Sequence, residues 1–417
     1  MNNPVLVKFW IIVGGINTGQ IIGKEIEEFE KTHPGIRIDL STIPWTQAWK
    51  RIITAAKTKQ LPDIFQIGNT WTKTLSSIGS LADLTEEAGE DRMKNKFHPA
   101  SWVTCEAEET RRVYALPWGA ETRMLFYRKD IFSRLNLSAK DISTWELFEK
   151  TCAILKGHEH GSEQVAALGV SDIKDQGLVH DVVPWIWSSG GDYLSKDGLT
   201  AAFGKDEALN GIRFYFDLMN RDYAPIRDRK VPSFGGHGFF VTGKYAMCIA
   251  GASVVAGYLP DFFGTSSDSA SPEIREKFGV TYVPAGPAGR FSFLGGNNLA
   301  ISSRSTHKDE AWQFMRFLTS NESQINLYKA MGTMPAGIEP FTILFCENAE
   351  REEVLKNTYS EYGRSYRQID FWGGVEFIMT EFFGNLIDAV KTRKYNEKYL
   401  ATEAKRYAAQ VDYILSL

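Results

Sequence analysis

The run VLVKFWIIV, from Val5 to Val13, is β-branched and aromatic and is closed by Gly14 and Gly15. It predicts a strand. From Thr18 to Lys31, Ile22, Ile26 and Phe29 recur at helical spacing among glutamates and lysines. The THPG that follows breaks the helix. In IRIDL, Ile36, Ile38 and Leu40 alternate with polar residues, as in a half-buried strand. Thr46 to Lys59 predicts a second helix, with Trp49, Ile52 and Ile53 among its apolar positions, and LPD then leads into the short strand IFQI. Strand, helix, strand, helix, strand at these lengths predicts parallel βαβ units. Open sheets of this class bind ligands in the loops at the carboxyl ends of their strands.

Later segments repeat the alternation less cleanly. Met124–Arg128 is strand-like, and STWELFEKTCAIL is a helix capped by Ser143 or Thr144 with Glu146 in its first turn. YAMCIAG reads as a buried strand, and VTYVPAGPAG ends a strand in a Pro/Gly-rich connector, Val283–Gly289. Asp309–Leu318 is amphipathic through Ala311, Met315 and Leu318. Ser320-Asn321 restarts the chain, with Asn321 and Gln324 spaced as a capping box and Gly332 as a stop. The chain from Phe371 onward is mostly helical. No internal repeat or low-complexity tract is evident.

Length adds a domain count. At roughly 100–200 residues per domain, 417 residues predict two domains or lobes. Hydrophobic residues make up 43% and charged residues 24%, which suits a soluble globular chain with sizeable cores. A formal net charge of −4 argues against a nucleic-acid footprint. Cys105, Cys152, Cys248 and Cys346 lie far apart, without a CxxC, and read as buried free thiols, although distant pairing stays open. The uncharged stretch from Tyr245 to Pro260 falls short of the ~20 apolar residues of a spanning helix. Residues from Met1 onward show no basic region, long apolar region or A-x-A site, so the chain reads as cytoplasmic or as a mature form whose leader has been removed.

Candidate chemistry narrows by elimination. Gly295-Gly296 beside an apolar run suggests a phosphate cradle, but NNLAIS after them reads as a strand and the next helix begins only near Asp309. A dinucleotide fingerprint needs glycines that open a helix. GGHG at Gly235–Gly238 also lacks the third glycine, and no GxxxxGK[ST] occurs. His158-Glu159-His160 lies in a segment that reads as a solvated loop, with no marked third or fourth metal ligand. No GxSxG elbow or cysteine-nucleophile signature is present. Tryptophan is the informative residue: there are 11, beside 16 Tyr and 26 Phe. Many belong to the core. Trp45 after Pro44, Trp71 in GNTWT, Trp118 after Pro117, Trp185 and Trp187 before SSGGD, and Trp372 before Gly373-Gly374 instead sit beside turn or polar residues. Flat aromatic faces next to amides and carboxylates suit a sugar, whose C–H face stacks while its hydroxyls need in-plane partners.

These pieces occur in an order that resembles the extracellular solute-binding proteins of carbohydrate ABC importers, the group similar to maltose-binding protein. The resemblance is carried by FEKTHPGIRIDL, LPDIFQIGNTW with LADLT, YALPWGAETRMLFYRKD, WIWSSGGDYLSKDGLT, GKYAMCIAG, the long run from Gly279 to Ser320, and GTMPA. It implies an α/β, two-lobed fold of the periplasmic-binding-protein type. Each lobe would be a mainly parallel sheet flanked by helices, with a ligand cleft at the hinge. One lobe would hold residues 1–116 plus 288–333 and the other residues 117–287 plus 334–417, with crossings near Pro117, Pro284–Pro287 and Pro335. The resemblance further implies an oligosaccharide as ligand, permease subunits of an importer as partners, a monomer, no nucleic acid, no cofactor, no metal and no catalytic residue. The place would be extracytoplasmic, in the periplasm or lipid-anchored at the cell surface.

Site residues follow where motifs match. Glu121 falls where relatives place a sugar-binding carboxylate, and Arg123 would pair with it or donate to hydroxyls. Asn69, Thr70 and Trp71 occupy the loop after the third strand. Trp185, Trp187 and Asp192 lie near the aromatic ligand segment, and Trp372 matches a C-terminal aromatic. Trp45 and Trp118 complete the aromatic set. Gly295 would sit in a turn at the cleft rim, with Asn297 beside it contacting a hydroxyl or satisfying the turn. Two departures weigh against a maltodextrin. GASVVAG lacks the tryptophan that often follows the GKYAM-type strand, and Val13-Gly14-Gly15 lacks a charged pair. A neutral oligosaccharide derived from xylan or glucan is expected instead. The rival readings are a glycoside-active enzyme, which needs two carboxylates at a set separation, and a binding protein of the same fold for a peptide or polyamine.

Overall fold

The computed structural model describes residues 3–13, 18–107, 110–156, 159–160, 163–170, 174, 176–226, 244–252, 277–344 and 351–417. In chain order its elements include β1 (Val5–Val13), α1 (Thr18–Thr32), β2 (Ile36–Pro44), α2 (Trp45–Thr58), β3 (Ile64–Gly68), α3 (Thr72–Ser77), β4 (Leu116–Thr122) and β5 (Met124–Arg128). There follow α4 (Trp145–Lys156), β6 (Ala166–Gly169), α5 (Gln176–Ser188), α6 (Asp206–Asn220), β7 (Tyr245–Ala250) and β8 (Phe278–Thr281). The chain continues through β9 (Ser292–Ile301), α7 (Lys308–Leu318), α8 (Asn321–Met331), β10 (Met334–Pro335), β11 (Gly363–Arg364), α9 (Trp372–Lys391) and α10 (Glu397–Leu415).

The chain divides into two compact units. Unit 1 comprises residues 1–121, 295–347 and 365–373, and unit 2 comprises residues 122–294, 348–364 and 374–417. The sequence placed the borders at 116/117, 287/288 and 333/334. In the structure β10 pairs with β4 through Met334–Ala120 and Pro335–Gly119, which keeps the segment after Thr333 with unit 1. Residues 365–373 join the same unit: Asp370 accepts a hydrogen bond from Ser77, and Gly373 packs on the Trp49 ring.

In unit 1 the strand order is β10-β4-β9-β3-β1-β2. β1 pairs parallel with both β2 and β3, as the βαβ pattern predicts. Alternation along β1 sends Val7, Phe9 and Ile11 into one apolar cluster with Phe29, Phe314 and Met315. Ile12 enters a second cluster with Ile43, Ile52, Phe65, Ile67, Trp71 and Leu75. In unit 2 the order is β8-β5-β7-β6.

The mainly parallel sheets read from the sequence are corrected here. β9 runs antiparallel to β3, and β10 antiparallel to β4. In unit 2, β5 is antiparallel to both β7 and β8, while β6–β7 and the short β9–β11 pairing at Ser292–Phe293 are parallel. A parallel pair needs a crossover of about a dozen residues or more, usually a helix. The first strands have such helices in α1 and α2, whereas β9 arrives from a Pro/Gly connector. Hydrophobic alternation marks a strand but does not set the direction of neighbours drawn from distant parts of the chain.

Two local expectations also change. Gly295 and Gly296 form no turn, because β9 runs through them without a break. Gly296 has φ +144°, and a Cβ there would lie 2.1 Å from the Gly119 carbonyl oxygen. Only a residue without a side chain lets the two backbones meet so closely. The cap of α8 is Ser320, whose hydroxyl accepts from Ser323 N at 3.2 Å. Gln324 makes no capping box: its amide donates to Thr319 O at 2.8 Å and its oxygen accepts from Gly337 N at 2.9 Å. Gly332 ends the helix as expected, at φ +70°.

Cys105, Cys152 and Cys248 are buried and free, and Cys346 lies outside the described residues. Among the described residues no cluster could hold a metal ion, and no helix is long and apolar enough to cross a membrane. His158, the GGHG run and most of GASVVAG lie outside the described residues, as do Gly14 and Gly15.

Candidate functional site

The carboxyl end of β3 opens into a short 3-10 turn, Asn69–Trp71, which leads directly into α3. All three turn residues are buried. The Trp71 ring meets two tryptophans from α2. Trp45 lies 5.9 Å away at 63°, and Trp49, one helical turn further on, lies 5.3 Å away at 52°. Such tilted and edge-on contacts suit the quadrupoles of aromatic rings. Trp45 and Trp49 are only half-buried. Helix α2 starts with Trp45 because Pro44 ends the extended run of β2 at φ −64°, ψ 143°.

The segment 365–373 of the same unit comes to this cluster. A Cβ on Gly373 would fall 2.2 Å from the Trp49 ring, so the absence of a side chain lets the indole lie on the backbone there. The neighbouring Trp372 stacks on Tyr366, with centroids 4.3 Å apart and planes at 26°. Lys73 Nζ stands 3.7 Å from Asp370. Unit 1 thus gathers Trp45, Trp71, Asn69 and Thr70 with the segment that carries Trp372, the first residue of α9. Asn297 pairs with Gly68 in the β3–β9 register, which sets it and Gly295 on the strand beside the turn.

Unit 2 holds a different set. Arg123 Nε donates to Asp181 at 2.5 Å, and both side chains are largely buried. The sequence offered Arg123 as a partner of Glu121 or a donor to hydroxyls; within unit 2 its ion pair is with Asp181. Glu121 itself is half-buried near the end of β4. The Arg123 guanidinium also lies 5.8 Å from the Phe293 ring centre. His180 stacks on that ring at 4.1 Å and 2°, and its Nε2 is 3.6 Å from the buried Glu376 carboxylate. Burial first, and Arg123 second, hold the His180 pKa well below its ordinary value, so the imidazole is neutral. Asp192 accepts from the Trp187 indole at 3.0 Å and from Tyr193 N at 2.7 Å, and it pairs with Arg364. The Arg364 guanidinium lies 4.8 Å from the Trp187 ring centre.

Two expected residues stand apart from both sets. Trp118 belongs to the apolar cluster around Phe9, 6.4 Å from that ring, and its Nε1 has no hydrogen-bond partner among the described residues. Trp185 is enclosed in the core of unit 2 by Trp145, Phe148 and Phe214, with ring separations of 5.2–5.8 Å. Gly211 brings α6 against its backbone, since a Cβ there would fall 2.5 Å from Trp185 O. Trp49, Tyr366, His180, Glu376 and Arg364 were not singled out from the sequence. The i, i+4 spacing from Trp45 was the one available signal for Trp49.

In unit 1, partly exposed indoles stand beside the buried Asn69 and Thr70, groups of the kind that stack on and hydrogen-bond to a polar, uncharged molecule. Comparison with known proteins agrees with a binding role. A diacetylchitobiose binding protein, DasA, of Streptomyces coelicolor is 25% identical over 318 residues, covering 74% of this chain and 68% of that protein. An ABC transporter solute binding protein of Thermotoga lettingae, solved with α-D-tagatose, superposes with a TM-score of 0.82 at 21% identity, over 99% of this chain and 100% of the other. The GacH receptor of Streptomyces glaucescens, solved unliganded and with acarbose, gives 0.80 at 20% identity, over 98% and 99%. The fold is therefore the α/β fold of these binding proteins. The family model of the bacterial extracellular solute-binding proteins matches residues 15–325. The chain belongs to the bacterial extracellular solute-binding proteins, extracytoplasmic receptors that bind a solute rather than transform it.

Proposed function

We propose that this protein is the sugar receptor of an ABC importer, taking up a neutral oligosaccharide in an aromatic-lined site and passing it to membrane permease subunits. The observation that carries the reading is the Trp45–Trp49–Trp71 cluster at the carboxyl end of β3, two of whose indoles keep partly exposed faces. Pyranose rings stack on such faces, while nearby Asn69 and Thr70 supply polar partners. The sugars bound by the similar proteins support the class of ligand. The absent tryptophan after β7 favours a xylan- or glucan-derived oligosaccharide over a maltodextrin. The receptor acts as a monomer, in the periplasm or held at the cell surface by a lipid.

Thermal shift against a panel of mono- and oligosaccharides tests this. A ligand of the folded state adds about 2.7 kcal/mol of stability at a hundredfold excess over its Kd. Trp45→Ala is expected to weaken binding of the responding sugar about tenfold, since a well-packed aromatic contact contributes roughly 1–2 kcal/mol. Its far-UV circular dichroism should stay that of the wild type. If no sugar shifts the melting temperature, the reading fails. Oligosaccharides recovered uncleaved after incubation would separate it from glycoside hydrolysis.

A further inference from the structure

We infer that Asn298 is a positioning residue of the sugar site, acting through the direction of one hydroxyl; this rests on the sugar-receptor reading above. Asn298 sits in β9 opposite Ile67 of β3 and is 1% exposed. Its amide nitrogen donates to Thr72 Oγ1 at 3.0 Å, to Thr104 Oγ1 at 3.0 Å and to the Thr104 carbonyl at 3.4 Å. The carbonyl acceptor fixes which end of the amide faces these groups, because only the NH2 end can donate to it.

A hydroxyl that accepts from Asn298 must point its own proton elsewhere. Thr104 Oγ1 donates to Ser101 O at 2.7 Å. Thr72 Oγ1 donates back to Asn69 O at 3.4 Å. That second bond closes the turn carrying Asn69, Thr70 and Trp71, whose indole is the centre of the aromatic cluster. One buried amide thereby polarises two hydroxyls, and one of them ties the ligand turn to the sheet. Buried networks of this kind specify a single arrangement when every member is satisfied. Sites held loosely by their supporting residues lose affinity without losing the fold.

The two threonines separate positioning from bulk stability, because both bind the same amide and only Thr72 reaches the turn. With the sugar found in the panel above, calorimetric titration is expected to give Thr72→Val and Asn298→Ala an affinity about tenfold weaker than wild type, the equivalent of one lost buried hydrogen bond. The double variant should be little worse than either single one. Thr72→Ser, which keeps the hydroxyl, should bind as the wild type does. Thr104→Val should lower the melting temperature and leave the affinity alone. A Thr72→Val protein with wild-type affinity, or an equal affinity loss in Thr72→Val and Thr104→Val, overturns the inference. If Trp45→Ala weakens binding while the Asn298 and Thr72 variants bind normally, the inference fails and the receptor reading stands. A wild-type protein that binds no sugar overturns both.

Discussion

Glu106 ties part of unit 1 together with one carboxylate. It accepts from the Trp102 indole at 2.6 Å and from Lys94 at 3.0 Å, and Arg111 stands 3.6 Å away. Burial works against its ionisation, but the indole hydrogen bond and the two cations outweigh burial and lower its pKa. A carboxyl with a depressed folded-state pKa contributes stability that is present above its unfolded value and is lost as pH falls through the folded one. Glu106→Gln is therefore expected to cost about 1–2 kcal/mol at neutral pH, as for a hydrogen bond to a charged group. The cost should shrink as the solution is taken below about pH 4, where the unfolded carboxyl is protonated before the folded one. Urea melts of both proteins across that range check this; a pH-independent difference would contradict it. At this scale the sequence separates tryptophans poorly. Trp45 and Trp118 each follow a proline, yet Trp45 meets Trp71 at a half-exposed edge while strand alternation turns Trp118 into the Phe9 core. A neighbouring turn residue marks where the chain bends, not which face the ring takes.

Among the elements, the early strands and helices were legible because their periods are clean. β1, α1, β2, α2 and β3 fall where alternation and helical spacing predict them. Caps and pairings were less legible. The spacing of Asn321 and Gln324 predicts a cap at Asn321, whereas the structure places it at Ser320. Ser320→Ala should destabilise the protein by about 1 kcal/mol, the usual value of an N-cap. Asn321→Ala should cost less, since Asn321 donates to Glu339 at an exposed site. Guanidinium denaturation of the two variants distinguishes them; equal losses would return the cap to Asn321. The run after Gly295 and Gly296 is the strand that its alternation predicts. The use of both glycines in a strand crossing the Gly119 backbone depends on a neighbour far away in sequence, and no local pattern carries that.

The whole molecule was read from the order of its motifs rather than from any one of them. That order gave the family and two units, while the exact borders depended on pairings such as β10 with β4. The cysteines show the same logic of burial over sequence. Cys105, Cys152 and Cys248 are enclosed in their units, and burial raises the pKa of each thiol. The thiolate is the reactive form. These three should react with an aromatic disulfide reagent only after the protein is unfolded. Substituting each in turn by alanine and counting native-state titre checks this, and rapid labelling of any of the three would contradict it.

The tryptophan cluster of unit 1 also has an optical consequence. Indoles 5.3–5.9 Å apart and tilted by 52–63° have electronic transitions that couple to one another. They produce a paired positive and negative band in circular dichroism and share their excitation. A ring that settles against Trp45 perturbs that coupling. The protein thus carries its own spectroscopic reporter at the site where it is proposed to bind, readable without any attached dye.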